Sequence, residues 1–206
     1  MMDMETMKIR FPLAMLFAVL MTACSGSKPA KAETAPATYR INFDTSRGPF
    51  VVEIVRDQAP NGADHLYALV KAKYYDGARF YRVVPGFMVQ WGSAADPEMS
   101  KKWDVTIDDD PVKETNARGT ISFAATGRPN SRSTHLFINY ADNGRLDGLG
   151  FAPIGKVVSG MENVDQIYSE DGERPNQELL REEGNKYVER EFPHLDYIRT
   201  ARIATP

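Results

Sequence analysis

The stretch at residues 80–92, FYRVVPGFMVQWG, constrains the fold of this chain more than any other part of it. Apolar side chains alternate with other residue types on both sides of Pro85-Gly86. Alternation with a period of two is typical of β-strands, and Pro-Gly is a turn dipeptide. The stretch therefore predicts two short strands joined by a tight turn. A permanently charged residue, Arg82, lies between their aromatic and thioether side chains.

The rest of the folded part is predicted to contain many short strands and few helices. Strands are expected at residues 39–43, 50–55, 103–107, 119–125, 135–139, 151–158 and 195–203, with Gly and Pro in the turns between them. Helical spacing of apolar residues predicts helices over 59–73, 161–168 and, in a charged segment, 177–191. This pattern favours a mainly β fold, a closed antiparallel barrel capped by helices.

The N-terminal segment is typical of a targeting sequence. Lys8 and Arg10 precede an apolar run at residues 11–21, which is too short to span a bilayer permanently. The only cysteine of the protein, Cys24, follows two small residues at the end of this run, and the site resembles a bacterial lipobox. We therefore expect a lipoprotein-type signal peptide at 1–23, cut before a lipidated Cys24. We also expect a periplasm-facing protein of the cell envelope that is anchored in a membrane, with the outer membrane as one candidate. The alternative is cleavage a few residues later, which would leave a soluble periplasmic protein.

Residues 24–38 are small, polar and proline-containing, and they predict a flexible tether because they bring too little apolar area to fold. The folded domain is then expected at 39–206. A net charge of −3 gives no electrostatic reason to expect nucleic-acid binding. We expect a monomer.

No metal site is predicted, because His65, His135 and His194 lie far apart without ligand spacing. The three aspartates at 108–110 precede Pro111 and are interpreted as a solvated turn.

Several motifs together resemble the cyclophilin family of peptidyl-prolyl isomerases. The stretch at 80–92 is similar to the family's signature, and the resemblance continues through GTISFAA at 119–125, PNSRSTHLFI at 129–138 and LDGLGFAPIGKV at 146–157. It covers roughly residues 38–168 in the family's order. It implies an eight-stranded antiparallel barrel with a helix over each end. The helix at 177–191 is then an addition to the family core, either packed on the barrel or presenting a surface to a partner.

The resemblance implies rotation of X-Pro peptide bonds, with Arg82 as the catalytic residue. Rotation about this bond is opposed by amide resonance, with a barrier of about 18–20 kcal/mol. A guanidinium that donates to the prolyl nitrogen or carbonyl favours the twisted state, in which the bond loses its double-bond character. No nucleophile, metal or cofactor is required.

The family's substrate-binding positions are carried over residue by residue. The proline ring is expected to lie on an apolar floor, Gln90 to contact the residue before proline, and the strand at Ala124 and Ala125 to run along the bound peptide. The floor residues are Phe87, Met88, Phe137, Leu146 and Phe151.

Two further substrate-binding positions depart from the family pattern. Tyr81 stands where a histidine is common, and His135 stands where a glutamine normally orients the catalytic arginine. A neutral His135 is expected to accept a hydrogen bond from Arg82, whereas a protonated one would repel it. Activity is then expected to fall as the pH drops through roughly 6.5.

The sequence thus predicts a peptidyl-prolyl isomerase that acts on unfolded or flexible proline-containing polypeptides of the cell envelope. The alternative is a chaperone or scaffold that binds proline segments with little turnover. His135 keeps this alternative open, because it replaces the residue that orients Arg82.

Overall fold

The structure is a computed structural model and describes residues 33–204. Its strands form one eight-stranded sheet in the order β3-β4-β6-β5-β7-β2-β1-β8, with every neighbouring pair antiparallel. The strands are β1 (Thr38–Thr45), β2 (Phe50–Val55), β3 (Arg82–Val84), β4 (Met88–Trp91), β5 (Thr120–Phe123), β6 (Leu136–Asn139), β7 (Pro153–Ser159) and β8 (Ile198–Ile203). The helices are α1 (Pro60–Lys71), α2 (Pro97–Lys102), α3 (Met161–Val164), α4 (Gln177–Glu183) and α5 (Asn185–Glu191), with a 3-10 helix at Gly144–Leu149. The mainly β prediction is confirmed.

The sheet curls into a half-barrel. Strands β3 and β8 stand at its two ends, and a single bridge between Arg79 and Tyr197 joins the chain just before each of them. The closed barrel of the prediction is therefore not confirmed. The predicted opening hairpin is confirmed, with Ile41 opposite Val52, and so is the helix that follows it.

Three elements differ from their predictions. The strand predicted at 103–107 is wrong, and a helix that was not predicted, α2, lies just before it at 97–102. Pro97 opens this helix, and the Asp96 side chain accepts a hydrogen bond from the Glu98 N–H at 3.0 Å. Ile107 makes one isolated bridge. The helix predicted at 161–168 is confined to 161–164.

The charged helix predicted at 177–191 is two helices, which Gly184 separates. Its φ of +63° is unfavourable for any residue with a Cβ, and a Cβ there would lie 2.4 Å from the Ala95 carbonyl oxygen. The first helix therefore ends at Gly184, and the N–H of the next residue, Asn185, donates to the Ala95 carbonyl at 3.0 Å.

A buried ion pair fixes the start of α1. The N-cap residue, Ala59, has no side-chain acceptor, and the Asp110 carboxylate instead accepts from the N–H groups of Asn61 and Gly62, each at 2.9 Å. Asp110 also pairs with Arg132 at 3.0 Å, and both side chains are almost fully buried. The interpretation of 108–110 as a solvated turn is therefore wrong for Asp110.

The ordered domain begins before Tyr39. Strand β1 starts at Thr38, Ala35 is buried, and the Ala35 N–H donates to the Asp64 carboxylate at 2.9 Å. The last residues assigned to the tether thus lie against the domain. The predicted signal peptide, Cys24 and the rest of the tether up to residue 32 lie outside the described residues. Within 33–204, no helix combines the length and the apolar character needed to cross a membrane.

Candidate active site

The β3–β4 hairpin forms as its sequence predicts. The Phe87 N–H donates to the Val84 carbonyl at 3.0 Å, and Gly86 between them has a φ of +73°. Pro followed by a residue with positive φ is the signature of a type II turn. The turn sets the strand register and places Arg82 directly opposite Gln90.

The register of β3, β4 and β6 places Arg82, Gln90 and Phe137 side by side in one row, on the face of the sheet that points away from the core. Gln90 lies opposite Arg82 on one side and opposite Phe137 of β6 on the other. Because side chains alternate along a strand, the neighbours Val89 and Ile138 point the other way and join the main hydrophobic core. The candidate site is thus built on the outer face of β3, β4 and β6.

A cavity of about 310 Å³ opens on this face, a volume at the lower end of the range for small-ligand sites. It brings together nine residues predicted from the sequence with two that were not. The lining residues are Arg82, Phe87, Met88, Gln90, Ala124, Ala125, Thr126, Phe137, Leu146, Phe151 and Gln177.

The floor of the cavity is a small apolar cluster of its own. Met88, Phe137 and Leu146 are buried in it, and their buried contacts are separate from the main core. The Phe151 ring meets the Phe137 ring edge to face, with centroids 5.8 Å apart. These rings and the thioether offer an apolar surface to a small ring.

Arg82 lies at the edge of this floor and is held by two side chains. Its Nη1 donates to Gln90 Oε1 at 3.0 Å, and its Nε donates to Glu173 Oε1 at 2.5 Å. The guanidinium carbon is 5.9 Å from the centre of the Phe87 ring, within the range of a cation–π contact. The Arg82 side chain is 30% exposed, so the cation is partly withdrawn from solvent.

Tyr81 and His135 stand behind Gln90 and do not line the cavity. Gln90 Nε2 donates to the Tyr81 hydroxyl at 2.7 Å, and this hydroxyl lies 2.7 Å from His135 Nδ1. The direction of this hydrogen bond depends on the His135 tautomer, because the Tyr81 hydroxyl can accept a second hydrogen bond and has another acceptor in Gln177 Oε1 at 3.4 Å. Burial raises the pKa of Tyr81, so it remains a hydroxyl.

The hydrogen bond expected from Arg82 to His135 is therefore wrong. Gln90 lies between them and takes the place of the orienting partner, because the register sets it opposite Arg82. His135 instead lines a neighbouring cavity of about 500 Å³, which meets the first at Thr126 and Gln177.

Three residues at the site were missed by the sequence reasoning. Thr126 follows directly after the predicted Ala124 and Ala125. A predicted peptide-binding strand that was one residue longer would have included it. Glu173 and Gln177 come from the segment before and at the start of α4, more than 80 residues away along the chain. Nothing in their local sequence signals a contact with Arg82 or Tyr81.

A comparison with known families shows which family the chain belongs to. The model of the family described as "Cyclophilin type peptidyl-prolyl cis-trans isomerase/CLD" matches residues 40–182. The chain belongs to the cyclophilin family. The match includes every residue that lines the cavity.

Curated relatives carry the same activity in their names. A peptidyl-prolyl cis-trans isomerase of Acinetobacter baylyi is 34% identical over 143 residues, covering 65% of this chain and 73% of that protein. Peptidyl-prolyl cis-trans isomerase A of Dickeya dadantii is 35% identical over 162 residues, covering 74% and 83%. This cyclophilin is therefore an enzyme, a peptidyl-prolyl cis-trans isomerase.

A solved structure confirms the fold. A cyclophilin-type isomerase of Cryptosporidium parvum aligns with a TM-score of 0.63 at 21% identity, covering 82% of this chain and 99% of that one. At this identity the likeness concerns the fold alone.

The structure changes the expected pH profile of the cyclophilin. Burial lowers the pKa of His135 to about 4, with Arg181 contributing in the same direction and Asp104 opposing it. We expect kcat/KM to stay constant from pH 8 to about 5.5 and to fall only toward pH 4, where a protonated His135 would place a buried charge beside Tyr81 and disturb its hydrogen bond with Gln90. The rate of cis–trans exchange in a proline peptide, measured across this range, tests the expectation.

The control is His135→Gln, which carries no proton to gain and should lack the acidic fall. A wild-type midpoint near pH 6.5 that disappears in His135→Gln would contradict the expected profile.

The stability of the fold should also fall at acidic pH. In the unfolded chain His135 has a pKa of about 6.5, whereas in the folded protein its pKa is about 4, so the unfolded state binds the proton at a higher pH. The free energy of unfolding is therefore expected to decrease as the pH falls from about 6.5 to about 4.

Proposed function

We propose that Arg82 is the catalytic residue of this isomerase and that the cavity beside it holds the proline ring of the substrate. The observation that carries the proposal is the place of Arg82. Within the described residues it is the only charged residue that lines the cavity, it lies at the edge of the apolar floor, and Gln90 and Glu173 fix its guanidinium. A five-membered apolar ring fits a surface of this kind, and the peptide bond before it then lies beside the cation.

Arg82 can accelerate the rotation because the electron density on the prolyl nitrogen changes as the X-Pro bond twists. As the X-Pro bond twists, resonance is lost and the lone pair of the prolyl nitrogen localises. A charge-assisted hydrogen bond from Arg82 stabilises that electron density more in the twisted state than in the planar one, which is the requirement for catalysis. Because Arg82 is partly buried on an apolar floor, this hydrogen bond competes less with water than an exposed one would.

Peptide binding is proposed to use the backbone beyond β5. Ala124, Ala125 and Thr126 line the cavity without large side chains. The Ala124 N–H already donates to the His135 carbonyl and the Thr126 N–H to the Ser131 hydroxyl, so the Ala125 N–H and the carbonyls of these residues are the groups available to an extended peptide. Main-chain pairing of this kind adds affinity without demanding a particular side chain. A broad range of proline-containing, unfolded or flexible polypeptides is the substrate class that suits it.

A binding module with little turnover was the alternative because His135 was expected to replace the residue that orients Arg82. In the structure Gln90 separates the two residues and holds Arg82 itself. No observation now favours that alternative over the isomerase. Exchange rates of a proline peptide with wild type and an Arg82 variant test the catalytic role.

We also propose that the enzyme works in the cell envelope, tethered by a lipid on Cys24. The support is the order of the sequence: basic residues, a short apolar run, small residues and then the only cysteine. Its substrates would then be envelope proteins that are still unfolded.

Mass spectrometry of the mature protein from membranes tests this anchor. We expect the N-terminal residue to be Cys24 with a diacylglyceryl mass on its thiol, and Cys24→Ser to release the enzyme from the membrane fraction. An unmodified N-terminus beyond residue 24 would instead establish the soluble periplasmic form.

A further inference from the structure

We propose that Glu173, in the segment before α4, is a positioning residue that sets the orientation of Arg82. The inference deepens the proposed function and rests on it. The Glu173 oxygen lies 2.5 Å from both Nε and Nη2 of Arg82, so one carboxylate oxygen accepts from two N–H groups of the guanidinium.

The backbone fixes Glu173 beside Arg82. The N–H of Val83, the residue after Arg82, donates to the carbonyl of Gly172, the residue before Glu173, at 3.0 Å. This bond attaches the segment to β3 at the position of the catalytic residue. Asp171 is buried and pairs with Arg174, which holds the turn from the other side. The contact to Arg82 is thus built into the chain path.

A count of donors indicates what the contact does. A guanidinium has five N–H donors. Glu173 takes the one on Nε and one on Nη2, and Gln90 takes one on Nη1. Within the described residues, one N–H on each terminal nitrogen is left for a substrate. Three fixed donors remove the rotational freedom of a long side chain before the substrate arrives, and such preorganisation is what electrostatic catalysis requires.

The free N–H donors of Arg82 also indicate that Glu173 does not block the substrate from reaching the guanidinium. A carboxylate that competed with the substrate would occupy both terminal nitrogens, whereas Glu173 shares one oxygen between Nε and Nη2 and leaves Nη1 to Gln90. Replacing Glu173 is therefore expected to lower the activity of the enzyme and not to raise it.

The test compares Glu173→Ala and Glu173→Gln with a matched control, Glu189→Ala. Glu189 also lies in the C-terminal segment, is 59% exposed like Glu173, and pairs with an arginine, Arg79, at 3.2 Å, away from the cavity. For a neutral proline peptide, we expect Glu173→Ala to lower kcat/KM about fivefold, which is the upper range for an exposed ion pair. Glu173→Gln keeps an acceptor oxygen and should retain more than half of the activity, and Glu189→Ala should equal wild type.

Two readouts separate positioning from a loss of structure. Exposed ion pairs are screened by salt, so wild-type activity should fall toward that of Glu173→Ala as salt is raised to 1 M, while Glu173→Ala stays flat. In a ¹H–¹⁵N NMR spectrum, the Arg82 Nε–H should be a slowly exchanging signal in wild type and Glu189→Ala and should be lost in Glu173→Ala.

The inference is overturned if Glu173→Ala is as active as Glu189→Ala or more active than wild type. Arg82→Ala, measured alongside, tells the two proposals apart. An active Arg82→Ala removes the proposed function itself, whereas an inactive Arg82→Ala with a fully active Glu173→Ala removes only the role of Glu173.

Discussion

Arg82→Ala is expected to lower kcat/KM for a proline peptide by about 100-fold, which corresponds to about 2.7 kcal/mol of lost transition-state stabilisation. The reason is that, within the described part of the chain, Arg82 is the only charged residue that lines the cavity, and Gln90 and Glu173 hold its guanidinium. The floor itself should remain, because its buried members contact one another without Arg82. The measurement is cis–trans exchange of the peptide by NMR, which gives binding and rate separately.

Arg82→Lys sharpens the test. Lysine keeps the charge but lacks the planar fork that bonds Gln90 and Glu173 together, so we expect a loss of about tenfold, between wild type and alanine. Arg40→Ala is the control: Arg40 is an exposed arginine of β1, paired with Glu53 at 2.9 Å, and β1 lies five strands away from β4 in the sheet order. Activity of Arg82→Ala equal to that of Arg40→Ala would refute the catalytic role of Arg82.

The largest effect on stability is expected from the buried pair of Arg132 and Asp110. Arg132→Met should lower the free energy of unfolding by about 3–5 kcal/mol, because it leaves a buried carboxylate without its counter-ion. Asp110 would still accept from the first N–H groups of α1, but these are dipoles and not a full charge. Urea unfolding followed by circular dichroism measures the loss.

Arg118→Met is the matched control, since Arg118 pairs with Asp165 at 2.7 Å but both side chains are more than 40% exposed. An exposed pair contributes at most about 1 kcal/mol, so the two variants should differ severalfold. The double variant Arg132→Met with Asp110→Asn should recover part of the loss, because it removes the unpaired charge. Equal losses in Arg132→Met and Arg118→Met would contradict the importance of burial.

The sequence predicted those parts of the site that local chemistry determines. The Pro85-Gly86 turn specifies the hairpin, and its register alone brings Arg82 and Gln90 together. The apolar floor followed from the resemblance, and the structure brings all five of its residues into one cavity.

The parts that the sequence could not predict depend on long-range packing. Glu173 reaches Arg82 across 91 positions of the chain, through a backbone bond that no local pattern indicates. His135 was expected on Arg82, but the row of side chains set by β4 puts Gln90 and Tyr81 between them. Gly184 breaks a charged helix because the Ala95 carbonyl passes close to it, and periodicity within the helix carries no information about that neighbour.

The pairing of the last strand with the first has a consequence for how the enzyme is made. Strand β8 completes the sheet against β1, and Ser46 bonds Asp196 across 150 positions. A ribosome must therefore translate nearly the whole domain before β1 can pair with β8. Until then the nascent polypeptide leaves one edge of β1 unpaired, so this catalyst of folding itself depends on a late pairing of strands that are far apart in sequence.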